Sequence, residues 1–142
     1  MNTSFNITYI EEGLTTIIKS LNITQKVLNN RPKADMSVSD FIVVKVSGGV
    51  DDLATYATAY IGVHLFAKDV QGLKNTAKLS YLYNSLVAGI PPEYKVTRTV
   101  EGQVEELCSV LVDAHPNVVG DVPDDYGFHA RILNFQVTIK SL

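Results

Sequence analysis

The stretch from Leu53 to Lys68 constrains the fold more than any other part of the chain. Tyr56, Thr58, Tyr60, His64 and Phe66 alternate with Ala57, Ala59, Ile61, Val63, Leu65 and Ala67. Successive side chains of a strand point to opposite sheet faces, so one face is aliphatic and small and the other aromatic and amphipathic. At about 3.3 Å per residue such a strand extends over roughly 45 Å, well beyond the usual five or six residues. It is predicted to project beyond the core as one arm of a hairpin ending near Asp51, or to bend at Gly62.

The flanking segments supply the rest of a small domain. Ile10, Leu14, Ile17, Ile18 and Leu21 form the stripe of an amphipathic helix over about Thr8–Leu21. Glu11 and Glu12 open it and Lys19 closes it, the polarity that a helix dipole favours. Residues 22–40, with Arg31-Pro32, read as an irregular connection with room for one short edge strand around Gln25–Leu28. Phe41 to Val46 is β-branched and short, hence a strand, and Ser47 to Asp52 is a glycine turn. Asp69 to Ala88 reads as a helix capped by Asp69 and stopped by Gly89, Pro91 and Pro92. It carries two apolar stripes: Val70, Leu73, Ala77 and Tyr81, and, nearly opposite, Leu79, Leu82 and Leu86. A helix apolar on two sides is either sandwiched in its own domain or shared with a neighbouring subunit.

Tyr94 to Val100 looks extended, while Gly102 to Val112 suits a helix or a strand. Ala114 to Asp125, with two prolines and Gly120, reads as loop, and Phe128 to Lys140 as a closing strand. The order predicts an α+β fold: a mostly antiparallel sheet of about four strands, two main helices packed on one face, and one long projecting β-hairpin. With 142 residues, 46% of them hydrophobic, one domain spanning 1–142 is expected.

Composition narrows the function. A net charge of −3 gives no basic excess to displace phosphate counterions, which argues against nucleic acid as a general partner. No apolar run approaches the length of a bilayer span, and no basic residue or apolar segment before Lys19 forms a secretory signal. Cys108 has no partner for an internal bridge and suits a reducing cytosol.

Catalytic and ligand motifs are sparse. His64, His115 and His129 lack the short spacings of zinc sites, and Gly48-Gly49 belongs to no phosphate-binding motif, so no metal or cofactor is expected. Asp113-Ala114-His115 could orient a general base, with Cys108 as the conceivable nucleophile of a small cytosolic hydrolase. Glu105 and Glu106 lie beside Cys108, and negative charge raises a thiol pKa. The catalytic reading is therefore the weaker one.

Charge is segregated along the chain. Lys68, Lys74, Lys78, Lys95 and Arg98 stand against only Asp69 and Glu93. Glu101, Glu105, Glu106, Asp113, Asp121, Asp124 and Asp125 follow with no Lys or Arg among them. Such segregation fits either solvated faces or a heterologous subunit contact that closes into a ring.

Taken together, the helix, the Arg31-Pro32 connection and the strand Asp40–Val44 come first. The strand Ala59-Tyr60-Ile61-Gly62-Val63-His64-Leu65-Phe66-Ala67-Lys68, the Leu79/Leu82/Leu86 helix, the acidic loop and the last strand follow. This order resembles the tail terminator (tail completion, minor tail protein U-like) family of long-tailed bacteriophages and prophages. The resemblance implies a non-catalytic structural protein of the virion tail, assembled in the host cytoplasm. It would form a hexameric ring, stop polymerisation of the tail tube and offer its other face to the head–tail connector. A neck or head-completion protein is the alternative. On this view Lys74, Lys78 and Arg98 of one subunit are expected to meet Glu105, Glu106 and Asp113 of the next.

Overall fold

A computed structural model describes residues 8–29, 38–47, 56–113 and 115–141. Of the turn expected at Ser47–Asp52 all but Ser47 lies outside them, as do the Arg31-Pro32 connection and the hairpin tip near Asp51. The element order is α1 (Thr8–Ser20), β1 (Val27–Leu28), β2 (Asp40–Ser47), β3 (Tyr56–Lys68), α2 (Thr76–Gly89), β4 (Glu93–Val100), β5 (Gln103–Val112), β6 (Asn117–Pro123) and β7 (Phe128–Ser141).

The architecture corrects the expectation of about four strands in an α+β fold. Seven strands dominate, in the order β1-β2-β3-β7-β5-β4 with β6 also on β7, and the sheet curls into a half-barrel. All described pairings are antiparallel except β1 with β2. At its centre β3 and β7 pair residue by residue from Tyr56↔Lys140 to Lys68↔Phe128. The other edge of β7 is shared end to end: β6 takes residues 129–134 and β5 takes 137–141.

Three of the seven strands come from the stretch read as extended, ambiguous or loop. β5 becomes a strand because its second half lies between β4 and β7, where Cys108, Val110 and Val112 alternate into the core. β6 survives two prolines and a glycine because it is an edge strand. Its register slips between Val118 and Gly120, Gly120 sits at φ +144°, and Pro123 ends it.

Both helices cover one sheet face. In α1, Ile10, Leu14 and Ile18 are fully buried on that face with Ile61, Val63, Leu65, Leu133, Phe135 and Val137. Asn22 at φ 55° ends the helix in the left-handed conformation. The second helix begins later than predicted. Lys68 leads into a tight turn in which Val70 and Leu73 exchange backbone hydrogen bonds across Gln71 and Gly72, both at positive φ. The cap is Asn75, whose side chain accepts the Lys78 N–H at 3.1 Å, and not Asp69. Val70 and Leu73 therefore lie off the helix; Leu79, Leu82 and Leu86 form its buried stripe, whereas Tyr81 is exposed.

Candidate functional site: an overhanging arm and an open sheet face

Among the described residues a hairpin other than the expected one overhangs the sheet. Within the described residues β3 is paired along its whole length with β7, so the sheet absorbs it. The overhang is β4–β5. A bulge after Val96 shifts the register, and β5 reaches β7 only from Cys108 onward. Residues 97–107 thus form a two-stranded arm whose strands pair only with each other among the described residues. Glu101 and Gly102, at φ 51° and 78°, make the two-residue turn that matches strand twist. All of its side chains except the half-buried Leu107 are exposed, Val104 at 71% and Val100 at 46%. Glu101, Glu105 and Glu106 against Arg98 leave the arm net negative.

The sheet face away from the helices is exposed over part of its area among the described residues. One end is closed by Phe41, which stacks on Phe66 at 4.5 Å and meets Phe128 edge-on at 5.3 Å. Beyond that cluster the strand registers place Lys45, Tyr60, His64, Asn134, Gln136 and Lys140 on the same face. Lys95 joins them through the row Lys95↔Ser109↔Lys140, and its Nζ donates to Ser109 Oγ at 2.5 Å. Glu93 lies there too, and Glu106, opposite Thr97, stands on the continuation of that face along the arm. Burial, then the Lys45 charge, lowers the His64 pKa below its ordinary value, so this imidazole is neutral at pH 7.

The six residues expected at a subunit contact are distributed over three places. Arg98 Nε donates to Glu105 Oε2 at 2.8 Å across the arm of the same chain. Lys74 lies 3.2 Å from Asp121, and Lys78 lies 3.4 Å from Asp40. Asp40 is buried and also accepts hydrogen bonds from Thr24 and Ser39. Glu106 is exposed on the arm, and Asp113 is exposed beyond the end of β5. Lys74, Lys78 and Arg98 are therefore each matched by a carboxylate of their own chain. Sequence reasoning nominated none of Lys45, Lys95 and Lys140 as a contact residue, although each follows or interrupts an apolar alternation and so had to face away from the core.

The remaining polar clusters hold the chain together. Arg131 grips Asp121 in a bidentate pair, Nε to Oδ1 at 2.8 Å and Nη2 to Oδ2 at 3.1 Å, tying β7 to β6. The Arg131 hydrogen bonds hold the Asp121 pKa below the usual carboxylate value, with Lys74 adding to the effect against partial burial. These groups border a cleft of about 270 Å³ with Tyr83, Val118 and Gly120. Cys108 faces the helix-covered core, fully buried, and burial pushes its thiol pKa up to about 11. Asp113 Oδ1 accepts the backbone N–H of His115 at 3.0 Å, which makes a turn and leaves the imidazole outside that pair. The geometry does not assemble the Cys108/His115 centre.

No family model matches the sequence, and no curated protein matches it. Solved structures do match in fold. One chain, whose name states no activity, superposes with a TM-score of 0.58 at 10% identity, covering 95% of this chain and 93% of its own. At that identity the likeness is one of fold alone.

Proposed function

We propose that this chain is a structural protein of a phage or prophage tail: it caps the tail tube as a ring, ends tube growth and presents the surface to which the head–tail connector joins. The reading rests first on the sequence resemblance to tail terminators. The single structural observation that supports it is the arm of residues 97–107, a β-ribbon with exposed Val100 and Val104 that the other described residues do not cover. Exposed strand edges are normally blunted or covered, because unpaired N–H and C=O groups recruit other chains. An arm of this kind is suited to a neighbour in an assembly, which makes the partners other copies of this chain, the tail tube and the connector.

The test is electron microscopy of particles made without the protein. Overlong tails are expected. Tails of normal length with unjoined heads would assign the chain to the neck instead, and normal particles would end the structural reading. In the same system, replacing Val104 with Asp should reproduce the overlong tails while the isolated domain stays folded by circular dichroism.

A further inference from the structure

The arm and the open face are complementary in both charge and length. Glu101, Glu105 and Glu106 outnumber Arg98 on the arm by two, while on the part of the face inboard of the arm Lys45, Lys95 and Lys140 outnumber Glu93 by two. None of these three lysines lies within ion-pair reach of a carboxylate among the described residues. From the bulge to its turn the arm spans residues 97–101, roughly 17 Å of strand. Lys45 stands opposite Gly62 and Lys140 opposite Tyr56, so the two cations are spread over roughly 20 Å of β3. Between them lies the ring of Tyr60, half exposed, as an apolar seat for Val104.

We infer that the acidic β4–β5 arm of one copy lies across the lysine-bearing open face of the next, and that this arm-on-face contact is the joint of the ring. The contact is heterologous, because arm and face are different parts of the same chain, and a repeated heterologous contact closes into a ring when its rotation permits. Charge complementarity of this kind fixes register and rejects wrong docking more than it adds affinity. The occupant is a second copy of this chain. The joint deepens the capping reading and rests on it. It also differs from a contact made by Lys74 and Lys78, whose charges are already matched by Asp121 and Asp40.

The experiment is sedimentation velocity over a concentration series with two charge-reversed proteins, each first shown to melt like the wild type. One carries Lys45→Glu and Lys140→Glu, the other Glu101→Lys and Glu106→Lys. Each alone is expected to self-associate at least about tenfold more weakly than wild type, because like charges then face each other. An equimolar mixture should recover assembly, since every arm in an alternating ring again meets a face of opposite sign. Should a reversed face fail to fold, Lys45→Gln with Lys140→Gln carries the same test, with weaker association expected. Wild-type protein that stays monomeric at every concentration overturns the joint, as does association indifferent to the reversals. Lysine-dependent retardation of a single-stranded DNA oligonucleotide, with self-association unchanged, would assign the face to nucleic acid and also overturn it. Indifferent association with tail capping intact removes the joint and leaves the capping reading. Charge-dependent rings in a protein whose loss leaves tail length normal remove the capping reading alone.

Discussion

The two faces of β3 and β7 share one backbone and do different work. Toward the helices, Ile61, Val63, Leu65, Leu133, Phe135 and Val137 are closed off from water beneath α1 and α2. One residue along each strand, Tyr60 and Gln136 stand exposed on the opposite side. A period of two lets a single pair of strands carry a complete core and a separate working surface. Selection for stability acts on the first face and leaves the composition of the second open to other demands. Lysines, amides and a tyrosine there are consistent with binding and contribute little to folding.

Adjacent substitutions on β7 give this comparison its largest contrast. Phe135→Ala removes a buried ring from the helix-covered face and should cost about 3–5 kcal/mol. Gln136→Ala, one residue on, should stay within about 0.5 kcal/mol. Urea unfolding of the two variants measures both. Comparable losses would mean that the open face is a second structural core, and the division between the faces would fail.

The same alternation explains what could be read in advance. The α1 stripe, β2, β3 and β7 were legible because each buries one face along its whole length, so periodicity and burial coincide. The segment from Glu93 to Pro123 was not, because its strands are held by register and only partly by burial. Half of β5 lies in the arm with both faces wet, and β6 is an edge strand with exposed Val118, Val119 and Val122. Prolines and glycines there read as loop, although edges and bulges tolerate them. The start of α2 was misplaced because Asp69 and Asn75 are both acceptable caps, and only the turn at Gln71-Gly72 selects the later one. The β4–β5 arm was not foreseen because length alone drew attention to β3. Nothing in a linear pattern tells that β7 will match it residue for residue. Of the six charges expected at an interface, four proved to be paired within the chain, a matter of long-range proximity invisible to local spacing.

Ion pairs in the body and on the arm give an intermediate contrast. Asp121 is 12% exposed and holds both Arg131 and Lys74 at the junction of β6, β7 and the turn before α2. Asp121→Ala leaves a half-buried guanidinium without its bidentate partner and should cost about 1–2 kcal/mol. Glu105→Ala removes the partner of Arg98 on the exposed arm and should leave the unfolding midpoint almost unmoved. Chemical denaturation of both variants checks the pair. A larger loss from Glu105→Ala would show that the arm is tied into the folding unit, contrary to its lack of any third strand.

The smallest expected effect is a pH dependence confined to the open face. His64 has a folded pKa below its ordinary 6.5, because burial and then Lys45 both oppose the imidazolium. Above 6.5 the ring is neutral in both the folded and the unfolded chain, so it adds no pH slope. As pH falls below 6.5 the unfolded chain takes up the proton first, and stability drops until the folded pKa is passed, after which it levels. Asp121 acts in a separate window: its folded pKa lies below the ordinary 3.8, so its contribution is present above 3.8 and is lost as pH falls further. Stability measured between pH 7 and 4.5 should therefore slope downward through His64 while the Asp121 contribution stays whole. His64→Gln should flatten that slope, and Lys45→Gln should lessen it, because one of the two causes of the shift is gone. An undiminished slope in His64→Gln would place the acid-sensitive group elsewhere, and the open face would lose its only titratable link to folding among the shifts that separate it from the core.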